Sequence, residues 1–341
     1  MTHDAQTYFK TSRSLWFPVS VNAMILGTVG IIVFHLATAL LCLASGEPGA
    51  TQYRLMGFPV AVTELITHVH WPGNGDWVFC AQLLIAYVLW ARLAPAIARI
   101  TAVRIARDQY ITLGEALRFS GVHFNTALLH IPAVALPAAF CACVVILIGA
   151  ISQFWAPLWI LGALLLPIAV LCTALAGALV LVGTLAMFYT PGAIAVEGKR
   201  TYDGLGKTFN YLLARPFSAL THLALIVIFF RVLNAGIFGD LRDRTASLLG
   251  VLNFIDTSSF RDIVRGNSDV DGPVATFAAW LWNAMWWLLE AVITGALLSW
   301  AIAACTSSWL ILRQDIDGND VGHVVDTAEL SLDPSWESKK D

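Results

Sequence analysis

The stretch GVHFNTALLHIPAVALPAAFCACVVILIGAISQFWAPLWILGALLLPIAVLCTALAGALVLVGTLAMFYT, residues 121–190, decides how the chain is read. Its 70 residues contain no Asp, Glu, Lys or Arg. A bilayer core of about 30 Å takes roughly 20 apolar residues per helix, so the tract has room for two or three crossings. The flanks settle the number. Residues 99–120 carry Arg99, Arg104, Arg107 and Arg118 against Asp108 and Glu115, and residues 191–215 carry Lys199, Arg200, Lys207 and Arg215 against Glu197 and Asp203. Basic connecting segments stay on the cytoplasmic side. Two basic flanks on one side demand an even number of crossings, and two tilted helices, about 124–151 and 156–189, satisfy it. The aromatic turn from Phe154 to Trp159 marks their outer junction, at the depth where Trp sits in bilayers.

Working outward, four more apolar segments fit as spans: 20–44, 77–98, 216–238 and 285–312. The whole chain of 341 residues is 58% hydrophobic and only 13% charged, with mean hydropathy +0.72. A soluble domain carries about twice that charge density, and a disordered one is poor in apolar residues. The expectation is an all-α polytopic membrane protein with six transmembrane helices over 20–312 and both termini cytoplasmic. The cytoplasmic N-terminal segment is 1–19, the outer loops are 45–76 and 239–275, the inner linkers are 99–120 and 191–215, and the tail 313–341 is acidic. All five lysines, at 10, 199, 207, 339 and 340, fall on the cytoplasmic side of this topology. Lys10 and Arg13 precede an apolar run too long for the core of a signal peptide, so that run reads as an uncleaved first span.

An internal repeat is expected at an offset of 92 residues, relating about 99–131 to 191–223. Tyr110, Leu113, Gly114 and Phe119 align with Tyr202, Leu205, Gly206 and Tyr211, and the match resumes with Ala127, Leu128 and His130 against Ala219, Leu220 and His222. Both copies lie between a descending and a rising helix, which makes them parallel repeats. Each linker should hold a short amphipathic helix at the membrane surface. In the second, Tyr202, Leu205, Phe209, Leu212 and Leu213 recur at helical spacing, and Lys199, Arg200 and Lys207 supply the polar contacts; in the first, Thr112 and Glu115 have the spacing of a capping box. Arg99, Arg104, Arg107, Lys199, Arg200 and Lys207 are thus the expected inner-leaflet basic residues.

Ionisable residues inside spans need an explanation of their own. Arg231, in the fifth helix, and Glu290, opening the last, fall at similar depth and are expected to form a structural ion pair. Arg92 lies near the inner end of the second helix, where its side chain would snorkel. His130 and His222 occupy equivalent repeat positions. They either hydrogen-bond neighbouring helices or, on facing helices, bind a cofactor as axial ligands of a haem iron or through a metal. No other feature supports haem, and no cofactor is expected. His35, mid-span with Thr38 one turn on, has the same two readings. His68 and His70 form a weak metal signal. The tail residues Asp315, Asp317 and Asp320 have carboxylate density, but Gly318 and Asp326 sit at the wrong places for a calcium loop. Of the six cysteines, Cys42 and Cys80 fall near outer helix ends, where a disulfide would be compatible with an oxidising compartment. No nucleotide-binding, nucleophile-elbow or zinc-protease motif occurs.

Residues Tyr189, Thr190, Pro191, Gly192, Ile194, Val196, Glu197 and Gly198, followed by Asp203-Gly204-Leu205, Phe209-Asn210-Tyr211 and Ala214-Arg215-Pro216, form a box that resembles one in uncharacterised polytopic bacterial membrane proteins of a planctomycete type. Arg104, Arg107, Leu113–Phe119 and the exit Leu312–Gly318 fit the same pattern, and there is a fainter similarity to the membrane domain of some glycerophosphodiester phosphodiesterases. The resemblance covers roughly 90–220 and 305–320 and implies a six-helix fold in the bacterial inner membrane with no established activity. The catalytic domain of the phosphodiesterases has no counterpart here. The expected function is therefore that of a non-enzymatic membrane subunit or scaffold, embedded in the lipid bilayer, that associates with protein partners or a second copy and not with nucleic acid. The alternative is a small-molecule or lipid transporter with its site between the third and fifth helices, near His130 and His222.

Overall fold

The computed structural model describes residues 20–45, 76–154, 158–198, 201–232 and 273–318. These residues are helical, and no strand occurs among them. In chain order the helices are α1 (Val21–Ser45), α2 (Asp76–Arg107), α3 (Leu113–Val122), α4 (Phe124–Leu128), α5 (His130–Phe154), α6 (Leu158–Glu197), α7 (Thr201–Ala214), α8 (Pro216–Val232) and α9 (Pro273–Asp317). Five stretches are long and apolar enough to cross a membrane, and a sixth is added if the bent pair α7–α8 counts as one.

Local chemistry explains the boundaries. Pro216 and Pro273 each stand first in a helix, where the missing N–H would have had no partner anyway. Helices α2, α6 and α9 end on residues with left-handed backbone, Asp108 (φ 53°), Gly198 (φ 57°) and Gly318 (φ 64°). Each returns its N–H to the carbonyl four residues back, at Arg104, Ile194 and Gln314. Glycine adopts that conformation freely, whereas Asp108 does so at a steric cost. The expected capping box is present: Thr112 Oγ1 accepts from the Glu115 N–H at 3.3 Å, and the Glu115 carboxylate accepts from the Thr112 N–H at 2.9 Å.

Side-chain contacts give the helix directions. α1 and α9 are antiparallel: Ser299 Oγ donates to the Ala23 carbonyl at 2.7 Å and His35 meets Trp287 edge to face at 5.9 Å. Between these contacts Gly27 faces Gly295 so closely that a Cβ on either would run into the other's backbone. This is the small-residue crossing that membrane helices favour. α5 and α6 form an antiparallel hairpin, with His130 and Val134 beside Gly183 at one end and Ser152 beside Gly162 at the other. α6 and α9 run parallel: Tyr189 meets Ser308, Gly192 meets Thr306 and Trp309, and Glu197 meets Arg313.

Burial divides the molecule into two regions. The hairpin from about 131 to 182 packs chiefly on itself, and Phe140, Ile146, Leu164, Val170 and Leu171 are all more than 60% exposed. The core lies at the other end. It comprises residues 94–103 of α2, Ala116 and Phe119 of α3, residues 186–196 of α6, Tyr211 and Leu212 of α7, and residues 302–312 of α9. At 1.5 Å per residue, the 40 residues of α6 and the 45 of α9 reach about 60 Å and 67 Å, about twice a bilayer core. These helices therefore continue well past the length needed to cross.

This corrects three expectations. Both inner linkers begin as uninterrupted helix, α2 running to Arg107 and α6 to Glu197, because their apolar and small residues find a buried core. Arg99 is consequently an interior residue, 1% exposed, rather than one facing the inner leaflet. Nor does the first amphipathic helix stay at a surface. Residues 119–131 run back along α2, as shown by Arg99 over Phe119, Ser120 on the Arg92 carbonyl and Tyr87 on the Ala127 and Leu128 carbonyls. Only the second amphipathic segment turns sharply, with 100° between α7 and α8. Residues 46–75 and 233–272, which hold most of the two expected outer loops, the tail from Asn319 on, Lys199, Arg200, His68 and His70 lie outside the described residues.

Candidate functional site

The last turn of a helix leaves carbonyls without intrahelical partners, and the end of α6 is where the chain collects its buried charge. Arg99 of α2 donates from Nη1 to the Ala195 carbonyl at 2.7 Å, and its guanidinium lies 4.8 Å above the Phe119 ring. The His123 ring stacks on the same Phe119 at 4.4 Å and places Nε2 3.2 Å from the Gly198 carbonyl. A cation and an imidazole thus meet the negative end of the α6 dipole, the favourable arrangement.

Glu197, the last residue of α6, is 5% exposed. Its carboxylate accepts a hydrogen bond from Lys207 Nζ of α7 at 2.9 Å and lies 3.1 Å from Arg313 Nε of α9. The Arg313 contact is an ion pair whose N–H is not aimed along the line between the atoms. Arg313 also lies 5.9 Å over Trp309, itself 1% exposed, and Trp309 packs 5.6 Å from the Tyr211 ring. The Tyr211 hydroxyl donates to the Asp317 carboxylate. One carboxylate and two carbonyls at the end of one helix therefore fasten α2, α3, α7 and α9 together. Such a cluster is strongly cohesive in a low-dielectric setting.

Of the expected cofactor residues, His130 is 3% exposed and both its ring nitrogens have protein partners, the Gly183 carbonyl at 3.0 Å from Nε2 and Thr190 Oγ1 at 3.2 Å from Nδ1. Its ring lies parallel to Phe209 at 6.2 Å. An axial haem ligand needs a nitrogen free for iron, so the hydrogen-bonding reading of His130 is the one its geometry supports. His222 is half-buried on α8, and its Nδ1 is sealed off with no hydrogen-bond partner among the described residues. No described contact joins the two rings. No group of three or more His, Cys, Asp and Glu that could hold a metal occurs among the described residues. His35 bonds the Ile31 carbonyl through Nδ1 at 2.8 Å. Cys80 is exposed and unpaired among the described residues; the side chain of Cys42, with which a disulfide was suggested, lies outside the described residues, as does that of Arg231, and with it the expected pair to half-buried Glu290. Arg104 covers Tyr110 at 5.5 Å, and Arg107 closes α2.

The roles of Tyr87, His123, Glu197, Tyr211 and Arg313 were missed by the sequence. The Tyr87 hydroxyl donates to the Leu128 carbonyl at 2.7 Å and accepts from the Ile131 N–H at 3.2 Å, bridging the break between α4 and α5. A tyrosine inside an apolar run needs a partner for its hydroxyl, which is the signal that was available. Glu197 had one too: it is the first charge after a 78-residue gap that begins past Arg118. No protein-family model, no curated protein and no solved structure matches the chain.

Proposed function

We propose that the chain is a bacterial inner-membrane protein that crosses six times with both termini inside, and that it acts as a non-enzymatic subunit or scaffold for protein partners. The observation that carries this reading is the use made of the buried polar groups at the inner end of the bundle. Arg99, Glu197, Lys207, Arg313, Tyr211 and His130 are all engaged in joining one helix to another. The result is a rigid base beneath apolar helices rather than a reaction centre. Six crossings are supported by direction: α6 and α9 run parallel, so two crossings in the same sense need a return between them, and among the described residues α8 lies in that interval. The basic residues of both linkers favour placing this base on the cytoplasmic side.

The parallel repeat belongs to the same proposal. At the offset of 92, the end of α3 at Val122 meets the end of α7 at Ala214, and the start of α4 at Phe124 meets that of α8 at Pro216. The equivalent carbonyls of Ala127 and Ala219 each accept a tyrosine hydroxyl from the preceding long helix, Tyr87 and Tyr189. The copies diverge at the bend. Purification in native lipid particles, with identification of co-migrating proteins, tests the scaffold: a stoichiometric companion is expected, and a lone monomer with a central polar cavity overturns it.

The transporter reading has one observation in its favour, the unpartnered and buried Nδ1 of His222. It predicts that His222→Ala abolishes uptake into vesicles without lowering the melting temperature.

A further inference from the structure

Arg92 stands apart from the cluster at the end of α6. It sits where α2 changes character: Leu84 and Val88 on its outer side are 62% and 39% exposed, whereas Ala91 and Ala94 around it are fully buried. Arg92 as a whole is half-buried. The other described arginines of α2 have partners, Arg99 at the Ala195 carbonyl and Arg104 over Tyr110, but among the described residues no hydrogen bond or ion pair reaches the Arg92 guanidinium. The guanidinium lies instead against Gly121, near the end of α3, where a Cβ would come within 2.5 Å of Nη1. Gly121 itself is exposed, as are Arg118 one turn before it and Asn125 one turn beyond. A second cation and an amide donor therefore share the face on which Arg92 emerges.

A guanidinium in a span without a counter-charge is unfavourable. Its planar fork fits the oxygens of a phosphate better than any other common anion except a carboxylate. We infer that Arg92, seated on Gly121 and assisted by Arg118, binds the phosphate ester of an anionic membrane phospholipid at the inner headgroup level. The guanidinium takes two phosphate oxygens, Arg118 adds charge from the neighbouring turn, and Gly121 leaves the room that lets the fork lie flat. The chemistry recognised is a phosphate ester, and a lipid is favoured over free phosphate because the group emerges at the edge of the exposed apolar surface of α2.

The full chain in lipid nanodiscs tests this by native mass spectrometry, titrating phosphatidylglycerol into phosphatidylcholine. The intact protein should retain one phosphatidylglycerol molecule. Arg92→Gln should weaken retention at least tenfold and Arg118→Gln several-fold, while Arg104→Gln, which removes an equal charge elsewhere, should change it less than twofold. Gly121→Ala gives an independent reading, because alanine favours the helix yet displaces the guanidinium. It should keep or raise the melting temperature and still weaken retention. Equal retention by Arg92→Gln and the parent overturns the site, and so does equal loss in Arg104→Gln, which would mark diffuse charge attraction. Displacement of the lipid by millimolar inorganic phosphate overturns the assignment to lipid.

Discussion

At the residue scale, the ion cluster separates a buried charge from an exposed one. Glu197 and Arg313 are both about 6% exposed at the side chain, whereas Lys207 is 35% exposed. Glu197→Gln leaves the Arg313 cation buried beside a neutral amide, and loss of one partner of a buried pair costs roughly 3–5 kcal/mol. Lys207→Gln removes a half-solvated contact worth at most about 1 kcal/mol. Chemical unfolding of the two variants in nanodiscs should show that order, and equal losses would refute it. Asp108 offers the opposite case. Its left-handed backbone (φ 53°) costs an L-residue about 1 kcal/mol more than glycine, so Asp108→Gly should raise stability by up to that amount. Glu115 carries a pH dependence. The Thr112 backbone N–H, and after it the Thr112 hydroxyl, hold its carboxyl below the usual 4.5. The stabilisation from this contact is complete above 4.5 and fades as pH falls through the lowered value. Thr112→Ala, which keeps that N–H, should cost about 1 kcal/mol at neutral pH, whereas Glu115→Gln should make the acid limb of a stability–pH curve shallower; an unchanged limb in Glu115→Gln would separate Glu115 from acid unfolding.

At the element scale, the crossing of α1 and α9 depends on Gly27 and Gly295 meeting backbone to backbone, locked by Ser299 on the Ala23 carbonyl. Overpacked sites lose about 1–3 kcal/mol, and more where backbone is the obstacle. Gly295→Leu should therefore separate the two helices and lower the melting temperature sharply, while Gly177→Leu, on the exposed face of α6 with nothing within 4 Å of its Cβ, should keep or raise it. The two amphipathic linkers look alike in sequence, yet they behave differently as elements. The first turns back along α2 because Ala116, Phe119 and Ser120 find its buried face. The second crosses the ends of the long helices because Lys207 and Tyr211 are held by Glu197 and Asp317. Periodicity reports that a helix has an apolar side; it does not report which neighbour that side meets.

At the scale of the whole molecule, an apolar, exposed region stands on a buried base that carries its own charges. The proposed topology is open to a direct test. Cysteines placed one at a time at Thr112 and Gln153, in a background without native cysteines, should react with a membrane-impermeant maleimide from opposite sides, Thr112 from inside and Gln153 from outside. Labelling of both from one side would remove the six-crossing arrangement.

The sequence by itself determined the helical class, the membrane character, the helical hairpin within 121–190 and the capping box at Thr112, because each follows from composition, run length or spacing within a few residues. Only the tertiary structure decided that Arg99 belongs to the core, that Glu197 joins Lys207 and Arg313, and that His130 bonds Gly183 and Thr190. These partners lie ten to more than a hundred residues apart, and a charge in a basic linker looks the same whether it will meet a headgroup or a carbonyl. Burial and partner are properties of packing, and packing is set by elements that the local sequence does not contain.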